Sequence, residues 1–171
     1  SDEHIIARGG IERFVGRLAV ENGSASSSGR GSDARYHDGT TLDFILAGVA
    51  AALPRCNKIV ISKLVTMLPI SLWGLAGKVE SALRGAHEFS YNGRGGSLMI
   101  RSVQVKREGE AAFHALDGDI SGDIVILDGG GRTFQIALFR NGEYKTGRTL
   151  ELGVDAAMDN VDAVLRSQGV R

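Results

Sequence analysis

Ten residues in the last third of the chain bring together the residue types that phosphate chemistry uses: Ile124-Val125-Ile126-Leu127-Asp128-Gly129-Gly130-Gly131-Arg132-Thr133. An apolar, β-branched run reads as a buried strand, Asp128 stands at its C-terminal end, and a three-glycine turn leads to a hydroxyl residue and a returning alternating stretch, Thr133 to Phe139. Glycines clear side chains away, so backbone N–H groups can converge on an anion as a nest. A carboxylate fixed by a strand can hold magnesium directly or through its waters, because that ion uses few carboxylates and keeps much of its hydration. Thr133 can donate to a phosphate oxygen. The same Asp-Gly-Gly-Gly sequence also makes a ligand-free hairpin turn, and the segment alone leaves both readings open.

The rest of the chain has to position that segment. At 171 residues it is long enough to bury a core as one domain or as two half-domains. Twenty Lys plus Arg balance twenty Asp plus Glu, so bulk charge gives no sign of nucleic-acid or membrane-surface binding. The apolar stretch from Ile59 to Trp73 is broken by Ser62, Lys63, Thr66, Pro69 and Ser71, which argues against a membrane span. The single cysteine, Cys56, excludes a disulfide framework within the chain and fits a reducing, cytoplasmic setting; it reads as a small apolar filler. His4, His37, His87 and His114 lack metal-binding spacing. Trp73 reads as core, and the arginines of Gly29-Arg30-Gly31 and Gly93-Arg94-Gly95 as solvated loop residues.

Along the chain, Phe14 to Val20 is a short apolar run, and residues from Asn22 to Ser32 are nearly all Gly, Ser, Ala or Asn, a flexible loop by composition. Thr40-Thr41-Leu42-Asp43 has the form of a capping box with Asp43 at N3, opening a helix whose apolar face would be Leu42, Ile45, Leu46, Val49 and Leu53. Lys58 to Leu64 reads as a strand, and Ser71 as the cap of a helix carrying Leu72, Leu75, Ala76, Val79 and Leu83 that ends at Gly85. Phe89 to Val105 alternates as a hairpin, with Gly95-Gly96 expected to lengthen its loop. Ala111 to Leu116 is a short helix. After the glycine turn and its returning strand come Asn141-Gly142, a strand from Glu143 to Leu152, and a last helix carrying Val154, Met158, Val161 and Leu165. Alternating helices and strands followed by paired strands predict an α/β fold with a mixed sheet and flanking helices.

Several segments, in order, resemble the actin, DnaK-type chaperone and sugar-kinase superfamily, with the actin-like ParM and archaeal actin-like proteins as the most similar variant. Asp128-Gly129-Gly130-Gly131-Arg132-Thr133 resembles the second phosphate loop of that superfamily. Phe14-Val15-Gly16-Arg17-Leu18-Ala19 is similar to its "FVGxLA" strand, and Leu42 to Leu53 to the helix that follows. Leu64-Val65-Thr66-Met67-Leu68-Pro69 resembles "VTGLP", Val105 to Ala111 resembles "VxPQGxGA", and Gly147 to Asp155 resembles the strand and helix start that close this part of the fold. The resemblance covers roughly residues 11 to 165 and implies an actin-like ATPase, ribonuclease H-like fold.

By that resemblance the residues take roles. Asp128 becomes the metal-associated carboxylate, Gly129, Gly130, Gly131, Arg132 and Thr133 the phosphate cradle, and Glu108 the residue that orients a water for in-line attack on a γ-phosphate. The implied cofactors are ATP and Mg2+, and the implied partners are further copies of the same protein in a filament, with a DNA-segregation adaptor, no membrane and no direct nucleic-acid contact. Residues 1–117 would belong to the first actin-like domain, with a Gly/Ser loop at about 22–39, and residues 118–171 would begin the second. The sequence departs from the pattern at Gly129, where the family has an apolar residue, at Gln135, where it has a carboxylate, and at Met67 and Arg107, where it has Gly and Pro. No counterpart of the first phosphate hairpin, "DxGxxxxK", is present, so the expectation is a fragment incomplete at its N-terminus and inactive alone. Two other functions fit the fold: an interaction module that has lost nucleotide binding, and a small-molecule phosphotransferase.

Overall fold

The computed structural model describes residues 4–16, 36, 39–118 and 120–169. The Gly/Ser-rich stretch, the Arg17-Leu18-Ala19 half of the "FVGxLA" segment, Gly29-Arg30-Gly31 and His37 lie outside the described residues. Two compact units are present: residues 1–66 with 77–105, and residues 67–76 with 106–171.

The first unit is built on a mixed sheet of five strands in the order β2-β1-β5-β6-β3. Strands β1 (His4–Arg8) and β2 (Ile11–Val15) form an antiparallel hairpin through Gly9-Gly10, both at positive φ, as a tight twisted turn requires. This hairpin was not expected, although Gly-Gly between two apolar runs is a recognisable signal. Strand β3 (Lys58–Ile61) lies parallel to β6 (Arg94–Ile100), and β5 (Gly85–Tyr91) lies antiparallel between β1 and β6. The β5–β6 turn is the two-residue Asn92-Gly93, with φ of 48° and 77°. The expected longer loop is absent because Gly95 and Gly96 belong to β6, where Phe89 lies across the bare backbone of its partner Gly96. Arg94 is tied to the Pro54 carbonyl at 2.7 Å.

Helix α1 (Thr40–Ala52) packs against β1, β2 and β5, but its start and its buried face differ from the expectation. Gly39, at φ 84°, occupies the cap position and no side chain caps the helix. Asp43 is 1% exposed and faces the β1–β2 hairpin, where Arg8 Nε and Arg13 Nη1 each approach one of its oxygens at 2.6 Å. A buried carboxylate needs such partners, and that demand turns the helix so that Leu42, Asp43, Leu46, Ala47 and Ala50 are buried while Leu53 is exposed. Cys56, in the turn that follows, is exposed rather than a filler. Helix α2 (Ala76–Leu83) contributes Val79 and Leu83 to the core with Ile6, Leu98 and Ile100. His4 meets the Tyr91 hydroxyl at 2.5 Å, and His87 bonds the Leu83 carbonyl.

Strands β4 (Leu64–Leu68) and β7 (Val103–Arg107) pair with each other, each beginning in the first unit and ending in the second. The second unit is an antiparallel sheet in the order β10-β9-β8, from β8 (Asp123–Gly129), β9 (Phe134–Arg140) and β10 (Glu143–Leu150). A 3-10 turn at Ile70–Leu75, the short helix α3 (Glu110–His114) and helix α4 (Val154–Ser167) accompany it. The 3-10 turn stands where a full helix from Ser71 was expected. Its core stacks Phe113 on Phe139, ring centroids 3.9 Å apart, with Ala137, Ile70, Ile124, Ile126 and Tyr144 around them. Strand β8 is apolar but not buried on both faces: Val125 and Leu127 are 55% and 62% exposed. The apolar side chains of α4 are likewise exposed. Among the described residues, no helix is long and apolar enough to cross a membrane.

Candidate functional site

The glycine segment forms the hairpin its sequence implied. Asp128 pairs with Gln135 and Gly129 with Phe134, and the Gly130 N–H closes the loop on the Thr133 carbonyl at 2.9 Å. None of the three glycines has a positive φ, so left-handed backbone is not why they are glycine. At Gly130 and Gly131 the neighbours come close. A Cβ on Gly130 would stand 3.2 Å from the Thr133 carbonyl oxygen, and one on Gly131 would stand 3.2 Å from the Asp155 carboxylate.

Helix α4 begins directly on this loop. Its first N–H groups, Val154 and Asp155, donate to the carbonyls of Gly130 and Gly131 at 3.1 and 2.6 Å. Two of the N–H groups that a helix start leaves unsatisfied are thereby used, and two of the loop carbonyls are engaged. Gly153 makes this docking possible, because a Cβ there would collide with the Gly131 carbonyl group and the Arg132 nitrogen. Among the described residues, the N–H groups of Gly131, Arg132 and Thr133 donate to no backbone acceptor. Three successive donors at a loop tip suit an anion.

Asp128 is half-buried at the end of β8, on the strand face that carries Ile124 and Ile126. Among the described residues no hydrogen-bonding or ionic partner engages its carboxylate, and no group of three His, Cys, Asp or Glu side chains is placed to hold a metal ion. One free carboxylate beside a donor-rich loop fits magnesium held mainly through water and ligand oxygens.

Glu108 sits at the corner between β7 and α3. Its N–H donates to the Leu68 carbonyl at 2.8 Å, and Gly109 follows at φ 88°. Gly109 lies against Ile126 and Ala137, at 3.5 Å from each for a would-be Cβ. That pair precedes Asp128 and Gln135 in the ladder, so the Glu108 corner and the Asp128 carboxylate share one face of the β8–β9 hairpin.

Arg107, where the resemblance expects proline, anchors this corner. Its guanidinium lies between Trp73 and Tyr144, 3.8 and 4.2 Å from the ring centroids, and its Nη1 reaches Glu110 at 3.1 Å. Trp73 is therefore half-buried and serves as a stacking platform for Arg107 rather than as core. Burial works against the charge on Glu110, but hydrogen bonds from Lys106 and from the side chain and backbone of Arg107 outweigh it and hold the carboxyl below the usual range.

Three participants were missed from the sequence. Gln135, marked only as a departure, is 1% exposed: its Nε2 donates to Thr133 Oγ1 at 3.1 Å, while its Oε1 accepts from the Thr149 hydroxyl at 2.6 Å and from the Ile70 N–H at 3.3 Å. Thr149 Oγ1 in turn accepts the Ser71 N–H at 3.0 Å. Gly153 and Asp155 complete the loop's support. A glycine before an acidic first helical turn was the available signal for them.

A β-hairpin glycine loop seated on a following helix within a mixed α/β fold is the arrangement the structure shows, and solved structures of the same fold match it. The chain is similar to the actin-like protein Alp7A (19% identity, TM-score 0.70, 92% of this chain and 48% of that one). It is similar to the filament structure of AlfA from B. subtilis plasmid pLS32 (18%, 0.70, 97% and 63%), and to Bacillus thuringiensis ParM with AMPPNP (17%, 0.68, 97% and 51%). The chain has the actin-like fold, and it spans about half to just under two thirds of the length of these structures. Within that class, its structural likeness is to ParM, AlfA and Alp7A. No family model and no curated protein matches it.

Proposed function

We propose that the chain is part of a ParM-like actin homologue that binds ATP with Mg2+, hydrolyses it and polymerises into filaments that segregate DNA or organise the cell. The observation that carries the reading is the loop itself: the N–H groups of Gly131, Arg132 and Thr133 donate to no backbone acceptor among the described residues, and the Asp128 carboxylate stands at the adjoining strand end. When bound, the nucleotide supplies the phosphoryl group and the metal its charge neutralisation. The loop donors would hold phosphate oxygens, Asp128 would hold the metal directly or through its waters, and Glu108 would orient a water for in-line attack. Filament formation and nucleotide use are supported by the matched filament structure and the AMPPNP complex, and a DNA-segregation adaptor is the partner such a filament would take.

The competing reading, an actin-fold interaction module without nucleotide, is favoured by Gln135 in place of a carboxylate and by Asp155, whose charge lies against Gly131. The two separate on ATP-dependent pelleting and phosphate release by the full-length protein, beside an Asp128→Ala version. The nucleotide reading expects wild type to pellet and release phosphate and the variant to lose release. Wild type that neither binds ATP nor pellets would leave the module reading standing.

A further inference from the structure

We propose that Gln135 is a positioning residue that fixes Thr133 as a hydrogen-bond donor toward the loop's ligand, so that the loop selects groups that only accept. The inference rests on the phosphate-loop reading and concerns how this chain, with an amide where a carboxylate was expected, still presents a donor.

The direction of each bond follows from groups whose role is fixed. Backbone N–H can only donate. Ser71 N–H therefore makes Thr149 Oγ1 an acceptor at 3.0 Å, and Ile70 N–H, at 3.3 Å, identifies the Gln135 atom it meets as the carbonyl oxygen Oε1. Since Oε1 cannot donate, the 2.6 Å contact with Thr149 must be a donation from the Thr149 hydroxyl. Gln135 then has only N–H groups to offer at its other atom, and Nε2 donates to Thr133 Oγ1 at 3.1 Å. The Thr133 oxygen is occupied as an acceptor, and its own proton is left for another group. Among the described residues nothing accepts that proton.

The bonds run one way, from backbone N–H through Thr149 and Gln135 to the Thr133 hydroxyl, and a chain aligned head to tail polarises each link in the same sense. It ends at the loop where the N–H groups of residues 131–133 donate to no backbone acceptor among the described residues, so the Thr133 hydroxyl adds a donor to a stretch that already offers donors. A phosphate oxygen, which is acceptor-only when ionised, is the matching chemistry. With Gln135 1% exposed, water cannot substitute for the amide. A carboxylate at 135 reverses the sense: it can only accept, so Thr133 turns its proton inward and the loop loses a donor.

The test is a double-mutant cycle on the full chain, with magnesium pyrophosphate as probe and the amide resonances of Gly130 and Gly131 as readout. Thr133→Val is expected to weaken binding roughly tenfold in the Gln135 background, the worth of one hydrogen bond to a charged group, with Thr133→Ser close to wild type. In a Gln135→Glu background the same Thr133→Val change is expected to cost little, because the hydroxyl no longer faces the ligand. The added charge of Glu is present on both sides of that comparison and cancels. An equal loss in both backgrounds would overturn the positioning role while leaving the phosphate loop intact. Absence of any perturbation in wild type at millimolar pyrophosphate would overturn the phosphate-loop reading and this inference together. Should Gln135→Glu not fold, nuclear Overhauser contacts in wild type decide. Gln135 amide protons near the Thr133 methyl support the inference, and amide protons turned toward Ile70 defeat it.

Discussion

Gly153 shows how much of the loop's shape is set by a residue outside it. Neither its backbone angles nor its position before a helix requires glycine; what requires it is the backbone of Gly131 and Arg132 pressed against its Cα. Gly153→Ala must therefore push the α4 start away from the loop, lengthening the bonds from Val154 and Asp155 to the carbonyls of Gly130 and Gly131. The expected cost is about 1–3 kcal/mol, the usual range for overpacking, read as a lower denaturation midpoint at unchanged denaturant slope. Gly130→Ala, whose Cβ meets a single carbonyl at 3.2 Å, should cost less. A larger loss at Gly130 than at Gly153 would contradict this account of the docking.

At the scale of elements, the corner between β7 and α3 is held by charge. The Glu110 carboxyl is held below its ordinary value of 4.5 because its hydrogen bonds to Lys106 and Arg107 outweigh the cost of burial. A group with a lowered folded-state value binds its proton more readily when unfolded, so its stabilisation is present above pH 4.5 and is lost as pH falls through the folded value. Denaturation of wild type and Glu110→Gln from pH 7 downward should give two curves separated near neutrality that converge in acid. A constant gap would show that Glu110 acts through packing alone. The elements themselves were legible where their signals are local: the β8–β9 hairpin, the Asn141-Gly142 turn and the last helix follow from alternation, turn residues and period. The start of α1 was not. Thr40-Thr41-Leu42-Asp43 carries the letters of a capping box, but Arg8 and Arg13, some thirty residues earlier, claim the Asp43 carboxylate, and no local pattern reveals that claim. Gln135 was opaque for a similar reason, since Ile70 comes from a distant part of the chain and Thr149 meets it only once β9 and β10 pair.

At the scale of the molecule, the fold was readable because several weak segments fell in the right order, and solved structures of that fold match the chain at 17–19% identity. The chain spans 48–63% of those structures, and on the proposed nucleotide reading its glycine loop is one part of a larger site, so this chain by itself is expected to bind ATP more weakly than micromolar. The most direct measurement of the central claim is calorimetric titration of magnesium AMPPNP into the full-length protein and its Asp128→Ala form. The account predicts saturable binding by wild type and a loss of about tenfold or more in the variant, as removal of a metal-associated carboxylate implies. Equal affinity in the two, or no binding by wild type, would contradict it.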